Sequence, residues 1–261
     1  MDINKQKRCH HRRRRNDKGL VCLLVFFAAA ALVILNLCMK SPTSDDPDNT
    51  PGQHTVDRPA VKPNVPGNSN GSINADDWHL VLVNRWHALP EDWQPNLVPL
   101  DDGWEIDSRC YDSLVTMLDD CRSSGANPLI CSAYRSQETQ ENLFSNQVSA
   151  FLAQGYSTGE SEKLAATQIA IPGTSEHQLG LAVDIVDIDY QQLDEAQKHT
   201  PTQLWLAENS WRYGFILRYP NDKTELTGIV YEPWHYRYVG EEYAKDIYEK
   251  GVCLEEYLSG H

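Results

Sequence analysis

Positive charge is scarce once the first nineteen residues are passed. Those nineteen carry eight basic side chains (Lys5, Lys7, Arg8, Arg12, Arg13, Arg14, Arg15, Lys18) against Asp2 and Asp17, a net of +6. Residues 40–75 hold three basic and four acidic groups, a net of −1. Subtracting both from the −14 of the whole chain leaves −19 for residues 76–261. A domain so acidic is repelled by nucleic acid, which excludes that partner even though Arg12 to Arg15 alone would attract phosphates. Apolar residues are nearly missing from Ser41 to Ala75, where Pro, Asn, Gly, Ser, Thr and Asp dominate. Such a stretch cannot bury enough surface to offset chain entropy and reads as a flexible linker. As a random coil it spans on the order of 30 Å, and fully extended about 100 Å. Internal repeats are absent, as is regular βαβ alternation.

The long apolar run is confined to Leu20–Met39, twenty residues without a charge. That length crosses about 30 Å of hydrocarbon as a helix. A cleaved signal peptide has a shorter apolar core and a small-x-small site, whereas Leu37-Cys38-Met39-Lys40 follows here; Leu37 also fits poorly before a lipid-modified Cys38. The expected organisation is a basic cytoplasmic tail (1–19), a transmembrane signal anchor (20–39), an extracellular linker (40–75) and a folded domain (76–261). The arginines flanking the span place the domain outside the cell membrane.

Within that domain the patterning gives a strand over Leu80–Val83, then an irregular path through Pro90, Pro95 and Pro99. Helices are expected over 107–122, with Cys110, Leu114, Met117, Leu118 and Cys121 inward, over 137–154 behind an N-cap at Ser136, and over 159–168. In the second of these Leu143 or Phe144, Val148, Phe151 and Leu152 face in. A further helix runs from Thr200-Pro201 through Trp211, with Leu204, Ala207, Glu208 and Trp211 on one side, and a last one covers 241–250. Strands are expected over 128–133, 215–219 and 229–238, with an apolar run after Gly180 as another. The implied class is α+β: a small, mainly antiparallel sheet with helices packed on it. Cys110 and Cys121 lie about 16 Å apart along one helix and cannot bridge each other. Cys121 with Cys131, Cys110 with Cys253, or four buried thiols acting as small apolar residues all remain open.

Chemistry concentrates in Ile171–Asp187, IPGTSEHQLGLAVDIVD, and in Glu232-Pro233-Trp234-His235-Tyr236. His177, Asp184 and His235 supply two imidazoles and one carboxylate, three of the four ligands zinc takes, and the open fourth position marks a catalytic site. Water there would have its pKa lowered from about 15.7 to about 7. Glu232, three residues before His235, is the candidate general base, on an extended segment enforced by Pro233 and not on the helix of an HExxH motif. Arg135 is the candidate for gripping a substrate carboxylate with its planar fork.

Ser175-x-His177-x-x-Gly180-x-Ala182-x-Asp184 followed by Glu232-Pro233-Trp234-His235-Tyr236 resembles the VanY-type D-alanyl-D-alanine carboxypeptidases. Ser132-Ala133-Tyr134-Arg135-Ser136 with Gln140, and Tyr213-Gly214-Phe215, add to the likeness, which spans residues 80–250. The resemblance implies the fold shared with the hedgehog signalling domain. It also implies Zn²⁺ on His177, Asp184 and His235, Glu232 as base, and a substrate pocket of Arg135, Gln140 and Ser175. Ile171 departs from it, standing where the family more often has a basic residue. The implied substrates are peptidoglycan stem peptides ending in D-Ala-D-Ala. An L,D-carboxypeptidase on the same scaffold and a zinc-bearing binding module without turnover are the competing readings; Glu232 argues against the last, since a binding module needs no proton shuttle.

Overall fold

The computed structural model describes residues 78–260. The basic tail, the apolar span and the linker expected from the sequence lie outside them. Among the described residues no helix is long and apolar enough to cross a membrane.

Two small strands, β1 (Leu97–Pro99) and β2 (Glu105–Asp107), pair as an antiparallel ribbon. Asp107 then caps helix α1 (Ser108–Ser123), its carboxylate accepting from the Arg109 amide. Four strands form the main sheet: β3 (Pro128–Ser132), β4 (Ala182–Asp187), β5 (Phe215–Leu217) and β6 (His235–Tyr238). Their order is β3-β4-β6-β5, every pair antiparallel. The α+β class expected from the sequence is thus the one observed.

Strand β4 is central and buried along its whole length. Its alternation divides two environments, as a period of two requires. Val183 and Ile185 enter the main core with Cys110, Leu114 and Met117 of α1 and with Leu206 of α4 (Pro201–Asn209). Asp184 and Val186 point to the opposite face. Entry into β4 depends on Gly180, which closes a 3-10 turn over Glu176–Leu179 in the left-handed region at φ 73°. A Cβ at that position would meet Pro95 Cβ at 3.1 Å and Leu97 Cδ2 at 3.3 Å, so a larger residue there would be strained in backbone and tightly packed.

Several expectations are corrected. Leu80–Val83 is not a strand: Trp78–Leu80 is a 3-10 turn, and the following backbone runs unpaired with any strand. The carbonyls of His79 and Val81 are taken by the guanidinium of Arg237 at 3.1 and 2.8 Å, so a side chain stands where a ladder partner would. Helix α2 (Gln137–Ala153) buries Gln140, Gln147 and Phe151 and leaves Leu152 exposed. Its inward stripe is polar because Gln140 donates to the Ala170 carbonyl and Gln147 to the Gln168 side chain, fastening the segment after α3 (Thr158–Ala165). Helix α4 likewise buries Thr202 and Gln203, which bond to Asp187 and the Ile185 carbonyl, while Leu204 is exposed. Of the strand expected over 229–238 only β6 forms. Glu232–His235 is a turn, closed by the His235 amide on the Glu232 carbonyl at 3.2 Å, since Pro233 has no amide to place in a ladder.

The ribbon β1–β2 and the terminal helix α7 (Leu254–Ser259) gave no sequence signal strong enough to read. Between them in the chain come a short helix α5 (Thr224–Thr227) and helix α6 (Glu241–Lys250), the latter on its expected residues. Cys110, Cys121, Cys131 and Cys253 are buried free thiols, which leaves the small-apolar reading and removes both pairings.

Candidate metal centre and active site

Three elements deliver three side chains to one point. The turn before Gly180 carries His177, β4 carries Asp184 and β6 begins with His235. The register sets Asp184 directly opposite His235, so both project from the same face of the sheet. Ligand atoms of His177, Asp184 and His235 all lie within 4.8 Å of one another, and all three residues are buried. His177 Nδ1 donates to the Ala133 carbonyl at 2.7 Å, which leaves Nε2 facing Asp184 Oδ2 at 3.3 Å. His235 presents Nδ1 to Asp184 Oδ1 at 3.0 Å. Two nitrogens and one oxygen this close, with orientation fixed from behind, are a donor set that fits zinc.

An open pocket surrounds this point, lined by Arg135, Ser175, His177, Asp184, Glu232 and His235 among others. The turn at Pro233 folds Glu232 back so that Oε2 comes 3.7 Å from His235 Nδ1. Arg135 stands across the pocket with Nη2 on Asp184 Oδ2 at 2.8 Å and Nε on Ser132 Oγ at 2.9 Å. Ser175 is on the wall, as the motif implied. Gln140 is not: it is fully buried behind Arg135, whose Nη1 reaches its Oε1 at 3.5 Å. Its amide is turned to the Ala170 carbonyl, so it braces the wall and does not line it.

The sequence reading passed over two neighbours. Tyr219, just beyond β5, lies against His235 with ring centroids 4.7 Å apart and lines the pocket. Glu176, beside His177 in the chain, is buried with Oε2 3.5 Å from His235 Nε2. The only available signal for Glu176 was a charged residue inside an otherwise buried motif. Tyr219 gave none.

The model of the D-alanyl-D-alanine carboxypeptidase family VanY matches residues 104–241, more than half of the chain and all of the site. The chain belongs to the VanY family. A D-alanyl-D-alanine carboxypeptidase of Enterococcus faecalis is 42% identical over 214 residues, 80% of this chain and 78% of that one. Among solved structures, VanYB in complex with D-alanine-D-alanine is 44% identical, with a TM-score of 0.66 over 70% of this chain and 99% of its own. A mutant of the vancomycin resistance D,D-pentapeptidase VanY from a VanB-type cassette, in complex with Zn(II), is 45% identical, with a TM-score of 0.64 over 69% and 99%. The chain is accordingly a zinc metallopeptidase, and its His-Asp-His cluster matches that cofactor.

Burial and neighbouring groups move all three residues of the centre away from their ordinary pKa values. Burial alone would lower His235, but hydrogen bonds to Asp184 and Glu176 reverse this and push it up to about 9. Burial and the Arg135 charge take His177 the other way, down to about 4. Burial would raise Asp184, yet the two imidazoles hold it well below the usual carboxylate range. At neutral pH His177 is therefore neutral, Asp184 ionised and His235 protonated. Zinc must displace that proton, which sets the sign of the pH dependence: the proton is present below about 9, so binding weakens as pH falls. Zinc affinity, measured by competition with a chromogenic chelator, is expected to rise about tenfold per pH unit between pH 6 and 8. A flat profile would place the proton elsewhere.

Proposed function

We propose that this protein is a membrane-anchored carboxypeptidase that removes the C-terminal D-alanine from peptidoglycan stem peptides ending in D-Ala-D-Ala. The observation that carries the reading is the convergence of His177, Asp184 and His235 in a pocket that Glu232 and Arg135 also line. His177, Asp184 and His235 would hold zinc, which would supply Lewis acidity toward the scissile carbonyl and a water molecule. Glu232 is the proton carrier. Burial and the nearby Asp184 charge, only partly opposed by His235 and Arg135, raise its carboxyl to about 8 in the metal-free site. As the carboxyl group on the wall outside the three-donor cluster, it is placed to act as general base to the attacking water and then general acid to the leaving amine. Ile169, Ala170, Ile229 and Trp234 form the apolar part of the wall.

Arg135 is assigned the terminal carboxylate of the substrate, the group a D,D-carboxypeptidase must recognise. Its guanidinium already lies against an acidic oxygen at hydrogen-bond distance inside the pocket. Arg135→Ala is expected to raise KM about tenfold to a hundredfold for a peptide with a free C-terminus and far less for its amide. Equal effects on the two peptides would remove that role.

Several features of the chain support the cellular setting. The basic residues before Leu20 and the apolar run to Met39 form the anchor, the linker gives reach, and the enzyme faces cell-wall peptides outside the membrane. The reaction is tested by mass spectrometry of products from a stem pentapeptide ending in D-Ala-D-Ala, with and without chelator. Loss of one alanine, abolished by chelation and restored by zinc, is the expected result. Cleavage of the tetrapeptide alone would establish the L,D-carboxypeptidase reading, and cleavage of neither would count against both.

A further inference from the structure

Two buried polar atoms behind the metal centre face each other, and neither has a hydrogen-bond partner among the described residues. They are Glu176 Oε2 and His235 Nε2, 3.5 Å apart. The other oxygen of Glu176 is heavily engaged: Oε1 accepts from Arg218 Nε at 2.7 Å and from Arg237 Nη1 at 2.9 Å. Arg218 continues to Glu255 of α7 through Nη1 and Nη2 at 2.8 and 2.6 Å, and Glu255 also accepts from Asn84. Both arginine side chains are fully buried. Two carboxylates and two guanidiniums thus form a closed, charge-balanced group on the site face of the sheet.

Sheet geometry explains why they meet. The β4–β6 and β5–β6 registers pair Asp184 with His235, and Ala182 and Ile216 with Arg237. With side chains alternating, His235, Arg237 and Arg218 share one face, and the Glu176–Leu179 turn lies over it. Stability does not require this arrangement, because apolar residues of similar volume commonly hold a core at least as well as a buried ion-pair network. A fixed carboxylate behind a metal-ligating histidine has a definite use, however. Such a ligand offers the metal one nitrogen and donates the other N–H to a partner, which sets tautomer and ring orientation.

We propose that Glu176 is a positioning residue, whose carboxylate accepts the Nε2–H of His235 and holds the imidazole in the tautomer that turns the Nδ1 lone pair toward Asp184 and the ion. Arg218 and Arg237 pin that carboxylate by one oxygen, leaving the other for the histidine. His177 has a counterpart in its own Nδ1–H, which goes to the Ala133 carbonyl at 2.7 Å. One ligand is thus oriented by backbone and the other by a charged group held from the C-terminal helix. The proposal rests on reading His235 as a ligand.

The test uses the full-length chain. In Glu176→Gln the amide oxygen keeps the two arginines and the NH₂ group faces His235, which favours the tautomer protonated on Nδ1. Zinc affinity by chelator competition is expected to fall about 10- to 100-fold. Glu255→Gln cuts the same network at its far end without touching His235, and is expected to leave zinc affinity within about threefold of wild type while lowering thermal stability. Should Glu176→Gln not fold, the nitrogen-15 spectrum of the zinc-loaded wild type decides, with Nε2 of His235 expected to carry the proton. Wild-type affinity in a folded Glu176→Gln, an equal loss in Glu255→Gln, or an Nδ1 proton in the zinc form would each overturn the proposal. His235→Ala separates this from the reading beneath it: if that variant binds zinc as tightly as wild type, the ligand assignment itself is wrong.

Discussion

Glu232→Ala is expected to bind zinc as wild type does and to lose about 10³- to 10⁴-fold in kcat/KM. The two halves of that result follow from different distances. Glu232 lies outside the cluster of three donors, with its oxygen 3.7 Å from His235 Nδ1, so its removal leaves the ligand set whole. It is nonetheless the carboxyl group on the pocket wall that is not already committed to a metal ligand's role, and general acid–base catalysis at a peptide bond needs such a group. Stability is expected to hold or rise slightly, because a buried carboxyl with a raised pKa is an unfavourable group to enclose. Steady-state kinetics on the pentapeptide with elemental analysis of the same preparation checks both halves. Turnover near wild type would show that another residue moves the proton.

Asp184→Asn is expected to do more, abolishing zinc binding and weakening the fold at once. Asp184 is the hub of the site, with Arg135 Nη2 at 2.8 Å, His235 Nδ1 at 3.0 Å and His177 Nε2 at 3.3 Å. The amide keeps the volume but removes the only anionic ligand and the counter-charge of Arg135, whose side chain is 8% exposed. Breaking a buried pair by neutralising one partner costs about 3–5 kcal/mol. His235 offsets part of that by giving up its proton once the carboxylate is gone, which places the expected loss near the lower end, about 3 kcal/mol. Urea unfolding of both proteins in chelator isolates this term from the loss of metal binding. Unchanged metal content, or equal metal-free stability, would mean that Asp184 is not the hub its contacts indicate.

Much of this site was legible because it is encoded locally. Residues 175–187 specify a turn, a glycine break and a buried strand in one unbroken stretch, and each step has a short-range cause. His235 needed the family likeness, since its partnership with Asp184 depends on a strand pairing across some fifty residues that no local pattern announces. The helix faces were misread for a physical reason. In α2 and α4 the inward residues Gln140, Gln147, Thr202 and Gln203 are polar and satisfied by carbonyls and side chains of neighbouring segments, so apolar periodicity pointed to Leu152 and Leu204, both exposed. The same cause hid the network of Arg218, Arg237 and Glu255: charged residues read as surface until their partners are known, and the partners lie 37 to 61 positions away.

The order in which the elements occur in the chain bears on when the enzyme can be loaded. β6 brings the last of the three donors, and α7, near the C-terminus, closes the ion-pair group behind it. A nascent or truncated polypeptide ending before residue 235 has only two ligands, and a β6 slipped by one position would set Tyr236 opposite Asp184. A complete three-donor set therefore requires both the chain through β6 and the correct β4–β6 alignment.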